Sequence, residues 1–190
     1  MQRMSRSAML LFAMLLFIVS RSSNPMSLFA QNPTSKTPAP QQVEVPGFTV
    51  IGFAIRTTNA QEMSGSEGKI GPLWNRFMHG GEEAIPGVKE PGTIYAVYTH
   101  YESDETGAYD LILGKSVQPD QQVPAGMKSI HIPASRYLVF PLANNSPTTI
   151  KTAWINIDAF FRHHTHERRA FTADFEQYSS LGARIFIAVR

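Results

Sequence analysis

The chain has no cysteine among its 190 residues, which excludes disulfides, thiolate metal sites, a thiol nucleophile and a lipidated cysteine anchor. Charge is sparse at 17%, and no acidic residue precedes residue 31, where Arg3, Arg6 and Arg21 are the only ionised side chains. Removing residues 1–30 changes the count from 17 basic and 15 acidic residues to 14 and 15, a net charge of −1 for the body. Nucleic-acid binders neutralise phosphates with clustered Lys and Arg, so a near-neutral body argues against that class. There is no Gly-x-Ser-x-Gly, and Gly65-Ser66-Glu67-Gly68 is not followed by the Lys-Ser/Thr pair of a phosphate loop. Neither an elbow nucleophile nor nucleotide binding is expected. Long apolar runs are missing too: Ala8 to Val19 is unbroken for twelve residues, short of the roughly 20 that cross a bilayer.

What is present begins with that run. Arg3 and Arg6 ahead of it, and Ser27-Leu28-Phe29-Ala30 after it, predict a secretory signal over residues 1–30 with cleavage after Ala30, and therefore a periplasmic or secreted protein. The alternatives are an uncleaved anchor or a start at Met26. Residues 31–46 hold four prolines and little that could be buried, which predicts a flexible linker ahead of one domain over residues 47–190. The hydrophobic content of 43% is enough to close a core.

Within residues 47–190 the same order of elements occurs twice. Phe48 to Arg56 is β-rich, Ile70, Leu73, Trp74 and Phe77 have helical spacing, and strands follow at Thr93 to Glu102 and Tyr109 to Val117. In the second copy Lys128 to Leu142, broken by Pro133, supplies the strand, and Ile150, Trp154, Ile157 and Phe161 supply the helical stripe. Ser146 is placed to cap that helix with Pro147 at its first position. Ala170 to Tyr178 and Ala183 to Val189 close the copy. Tyr101-Glu102 and Phe175-Glu176 look like matched pairs, each followed by Gly-Ala. The pattern predicts an α+β fold made of a duplicated β-α-β-β unit, two sheets about a pseudo-twofold axis, a helix over each, and a central ligand cleft between the halves.

From Val45-Pro46-Gly47-Phe48 through Leu73-Trp74, Ile94-Tyr95-Ala96-Val97-Tyr98, Gly126-Met127, Ile132-Pro133-Ala134-Ser135-Arg136-Tyr137 and Trp154 to Asp174-Phe175-Glu176-Gln177-Tyr178, the sequence resembles the GyrI-like family. This is the effector-binding domain of AraC-type and multidrug-responsive regulators, and the likeness is to stand-alone members similar to integron-cassette effector-binding proteins. The resemblance implies an aromatic-lined cleft for small, often cationic and amphipathic molecules, with a buried glutamate from the closing repeat that maps onto Glu176. The regulators carry a helix-turn-helix ahead of the domain, whereas a leader and linker stand here, so transcriptional control is not expected. Some members resemble hydrolases of reactive natural products, which keeps catalysis open, with Glu176 as general base and Tyr98 or Tyr109 as proton donor.

Glu176 lies in a run where Phe171, Ala173 and Phe175 would share one face and Thr172, Asp174, Glu176 and Tyr178 the other. Its alternative is a solvated strand face. Glu102 ranks second, beside the acidic turn Ser103-Asp104-Glu105. Trp74, Trp154, Tyr98, Tyr109, Phe140 and Tyr178 are candidate cleft walls that attract cations through their ring faces, or else core. Tyr137 reads as structural. The His163-His164-Thr165-His166-Glu167 cluster adjoins Arg168-Arg169, which would repel a metal cation, and basic residues at a helix C-terminus are the simpler account. No metal and no cofactor are expected. The predicted partner is a small organic ligand.

Overall fold

The computed structural model describes residues 39–190 apart from Ser66 and Thr165. The signal expected at residues 1–30 and the linker up to residue 38 lie outside the described residues. The strands are β1 (Gln41–Val45), β2 (Phe48–Thr57), β3 (Ile94–Thr99), β4 (Tyr109–Val117), β5 (Lys128–Ile132), β6 (Ser135–Pro141), β7 (Ala173–Ser179) and β8 (Gly182–Val189). The α-helices are α1 (Asn59–Met63), α2 (Ile70–Arg76) and α3 (Pro147–His163). No helix of the described residues is long and apolar enough to cross a membrane.

All eight strands belong to one antiparallel sheet in the order β1-β6-β8-β7-β3-β4-β2-β5. This corrects the expected pair of separate sheets, because β3 and β7 hydrogen-bond along Ile94↔Tyr178 to Thr99↔Ala173 and make the two halves continuous. The linker expectation is corrected at its end. Val43 and Val45 alternate with polar neighbours, so Gln41–Val45 can pair with β6 and pack Val43 and Val45 against the core instead of remaining free.

One face of the sheet carries a cluster with residues from every strand, among them Val50, Val97, Ile112, Ile132, Tyr137, Phe175 and Phe186. A flat eight-stranded sheet could not bring its first and last strands to one cluster, so the sheet curls around it. Close passage of backbones assists the curl where Gly52 faces Gly114 across β2 and β4, since a Cβ on Gly52 would lie 2.0 Å from the Leu113 carbonyl oxygen. The helices cover the opposite face. There α2 packs Leu73 onto Ile51, Leu111 and Leu113, and α3 packs Ile157 onto Ile185 and Ile187.

Local chemistry fixes both helices. Ser146 Oγ accepts from Thr149 N at 3.2 Å and Pro147 opens α3, as its sequence predicts. For α2, Lys69 supplies no side-chain cap, and the carboxylate of Glu62 on α1 takes that place, accepting from Lys69 N at 3.0 Å and Ile70 N at 3.1 Å. The short helix α1 was not expected from the sequence.

Candidate functional site

Between α2 and α3, over the central β3–β7 pair, lies a cavity of about 700 Å³, within the range of drug-sized ligand sites. Alternation puts Ile94 and Tyr98 of β3 and Glu176 and Tyr178 of β7 on its floor, because Tyr95, Val97 and Phe175 point into the opposite core. Trp74 and Trp154 come down from the two helices. Their rings cross over the join, Trp74 edge-on to Tyr178 with centroids 5.1 Å apart and Trp154 edge-on to Tyr98 at 4.9 Å.

Glu176 is the polar centre of this floor, 2% exposed. Its Oε1 accepts from Tyr98 Oη at 2.8 Å and Trp154 Nε1 at 2.6 Å, and its Oε2 accepts from Tyr178 Oη at 2.5 Å. All three donors are neutral, and among the described residues no Lys, Arg or His lies within ion-pair distance. Burial raises the Glu176 pKa, and the hydrogen bonds from Tyr178, Trp154 and Tyr98 counter only part of that rise. The phenols of Tyr98 and Tyr178 are likewise raised by burial and by the adjacent carboxylate, so they remain protonated donors.

Asp174, one step earlier on the same face, has the opposite arrangement. Fully buried, it accepts from Arg169 Nε at 3.0 Å and Nη2 at 2.8 Å, from Tyr101 Oη at 2.8 Å and from Ala188 N at 2.8 Å. Arg169 also reaches Asp158 of α3 at 3.2 Å. Burial opposes the charge on Arg169, but Asp174, Tyr101 and Asp158 together outweigh it and the pKa is raised. Asp174, buried beneath the cavity wall, is thus neutralised within the protein, whereas Glu176 on the floor has no cationic partner among the described residues.

Of the eight candidate residues, the structure brings six to this one cavity: Glu176, Trp74, Tyr98, Tyr109, Trp154 and Tyr178. Tyr109 donates to Asn59 Oδ1 at 3.2 Å on the same wall. Phe140 is not among them. It sits on β6, beyond β8 from the join, and packs edge-on to Phe160 of α3 at 5.5 Å. Glu102 is a second correction: β3 ends at Thr99, His100 turns the chain with φ 49°, and Glu102 is exposed in the turn, accepting from Ala108 N at 3.3 Å. The matching of Tyr101-Glu102 with Phe175-Glu176 therefore slips in register. Phe171 also leaves its expected face, since a φ of 53° precedes β7 and stacks its ring near Arg169, 4.6 Å from the guanidinium carbon. In the histidine cluster, His164 Nδ1 bonds the Phe160 carbonyl at 2.9 Å and its ring stacks on Phe160.

Sequence reasoning missed the Arg169–Asp174–Tyr101 network and the cavity-lining Glu62, Met63, Met78 and Ile155. Asp174 carried a usable signal, lying two residues before Glu176 and so on the same face. The others are set by long-range packing.

A family model for integron-associated effector-binding proteins matches residues 42–189, nearly the whole described body. The chain belongs to this effector-binding family. An integron cassette protein from the mobile metagenome of Vibrio cholerae shares its structure with a TM-score of 0.68 and 34% identity, over 80% of this chain and 96% of that one. The YobU protein of Bacillus subtilis is 30% identical over 149 residues, 73% of this chain and 90% of YobU. SAV2435, solved bound to tetraphenylphosphonium, has a TM-score of 0.61 at 13% identity, covering 80% and 93%, a likeness of fold. The effector-binding family is related to the GyrI-like regulators, as the sequence motifs imply.

Proposed function

We propose that this effector-binding protein captures small organic cations in the cavity between α2 and α3, with Glu176 as the counter-charge. The observation that carries the reading is the Glu176 carboxylate: buried, held by three neutral donors and lacking a cationic partner among the described residues. An ionised carboxylate so placed is costly unless a cation joins it. The surrounding rings of Trp74, Tyr98, Trp154 and Tyr178 supply cation–π attraction and exclude water. Hydrolysis has less support, because the Tyr98 hydroxyl is engaged by Glu176 itself and that of Tyr109 by Asn59.

The body arose by duplication of a β-α-β-β unit, on this reading. Supporting it, β2, α2, β3 and β4 occupy the same relative places as β6, α3, β7 and β8, and the sheet order reads alike from either end. Trp74 to Trp154 and Tyr98 to Tyr178 are each 80 positions apart (154 − 74 and 178 − 98), which sets Ala96, the direct partner of Glu176, as its counterpart in the first copy. The two copies then differ where it matters, with a charge in one and a methyl group in the other. Export to the periplasm or beyond is supported by the basic start and apolar run at residues 3–19, and ligand capture without DNA contact by the net charge of −1 after residue 30.

Fluorescence titration tests the ligand class directly, because Trp74 and Trp154 are the only two tryptophans and both line the cavity. Tetraphenylphosphonium is expected to quench saturably and to bind at least about tenfold more tightly than neutral triphenylphosphine oxide, the least that a charge-assisted contact is worth. Equal affinity for the two would contradict the reading.

A further inference from the structure

With no cysteine in the chain, methionine is its most readily oxidised sulfur, and three methionines, Met63, Met78 and Met127, lie in the described residues. Met63 closes α1 and is 59% exposed, and Met78 follows α2 and is 54% exposed. Both line the cavity between α2 and α3. Met127 is the contrast, partly buried against the cluster beneath α2 and outside the cavity lining. The two exposed methionines of the described body are therefore the two at the candidate ligand site.

Neither Met63 nor Met78 belongs to any of the three hydrophobic clusters, so core packing does not explain an apolar side chain at either position. Their apolar character bears instead on what the cavity admits. A thioether needs no deprotonation to react, so access governs its oxidation, and both side chains have that access. The sulfoxide places a strong S–O dipole where a ligand would otherwise meet carbon and sulfur, and covering that dipole with an apolar group costs affinity.

We infer that Met63 and Met78 form a peroxide-responsive modification site, whose oxidation by hydrogen peroxide loosens the hold of the cavity on its ligand. In each step the thioether lone pair attacks one peroxide oxygen, the S–O bond forms as the O–O bond breaks, and the hydroxide released takes the proton from the new S–OH to leave as water. The sulfur loses two electrons and the peroxide gains them. Methionine sulfoxide reductases reverse the change, which makes it a regulation and not only damage. The inference rests on the cavity being the ligand site, as proposed above, and adds a control on that site independent of the ligand's charge.

The test treats the full chain with hydrogen peroxide, maps the added oxygen by peptide mass spectrometry, removes the peroxide and titrates tetraphenylphosphonium by calorimetry. Met63 and Met78 are expected to oxidise several-fold faster than Met127, and saturating tetraphenylphosphonium is expected to slow both by covering them. Affinity should fall by about five- to tenfold, the worth of two partly covered side chains made polar. Met63→Leu/Met78→Leu cannot take up the oxygen and should bind equally before and after peroxide. Met63→Gln/Met78→Gln, polar from the outset at two exposed positions that do not threaten folding, should show the loss without peroxide. Oxidation of Met127 as fast as the other two, oxidation unaffected by the ligand, oxidised wild type that binds as tightly as untreated protein, or an equal loss in the leucine variant overturns the inference. The charge reading fails separately, by undiminished tetraphenylphosphonium affinity in Glu176→Gln, and a wild type that does not bind this probe refutes both.

Discussion

Arg169→Met removes a cation from the cavity wall while keeping an apolar stem of similar length, and it puts the electrostatic design of the floor under strain. Arg169 is 9% exposed and gives two hydrogen bonds to Asp174, which is fully buried, and one to Asp158. Without the guanidinium, Asp174 retains only Tyr101 and Ala188 N as donors, so an ionised carboxylate is stranded at the sheet centre. Breaking one partner out of a buried pair costs about 3–5 kcal/mol, a large share of the 5–15 kcal/mol that holds a domain together. Urea melts at neutral pH should show that loss with little change in slope. Adding Asp174→Asn to Arg169→Met should recover about 2 kcal/mol or more, since the pair is then absent instead of broken. A loss under about 1 kcal/mol for Arg169→Met, or strictly additive single and double variants, would refute the claim that Asp174 is neutralised internally.

Cation affinity should be full above the raised Glu176 pKa and fall by up to about tenfold per pH unit below it, a dependence that titrations across acid to neutral pH would find missing in Glu176→Gln. In the unliganded protein the sign reverses: with the folded-state pKa above the unfolded one, ionised Glu176 subtracts stability as pH rises past the ordinary carboxylate range. Glu176→Gln should therefore melt higher than wild type at neutral pH and lose that advantage in acid. Gly52→Ala should cost about 1–3 kcal/mol in a thermal or urea melt, because its Cβ would collide with the Leu113 carbonyl across the β2–β4 pair. Fractionation of expressing bacteria should find a shortened chain starting near Gln31 outside the inner membrane, and a full-length cytoplasmic product would contradict export.

Much of the body was legible in local pattern. Tyr109 to Val117 and the cap at Ser146-Pro147 were readable because strand alternation and helix-start chemistry are written in adjacent residues. Glu176 was singled out by its repeat position and the family resemblance, the period of two alone leaving a solvated strand face equally open. The joining of the halves was not legible, since the β3–β7 pairing links residues about 80 apart by backbone bonds that leave no side-chain signature. Glu102 misled because an aromatic-Glu pair repeats in sequence while the strand beneath it ends three residues early, at Thr99. Phe140 has the right chemistry in the wrong place, and only the sheet order shows that β6 lies outside β8. Gln41–Val45 reads as linker by its flanking prolines, yet two valines on one face suffice when an unpaired β6 edge is available. The cavity-lining Met63, Met78 and Ile155 have no sequence signal, because they come from three segments distant in the chain.

The central claim is that the buried Glu176 carboxylate selects the ligand's charge, and calorimetry of wild type and Glu176→Gln with tetraphenylphosphonium and triphenylphosphine oxide tests it most directly. Glutamine keeps the shape and can still accept from Tyr98 and Trp154 through Oε1, while its Nε2 donates to the Tyr178 hydroxyl where Oε2 had accepted from it, so the charge is the main loss. The account predicts a loss of about 1.5–3 kcal/mol for the cation and a much smaller change for the neutral compound. Equal losses for both ligands, or an undiminished cation affinity, would contradict it.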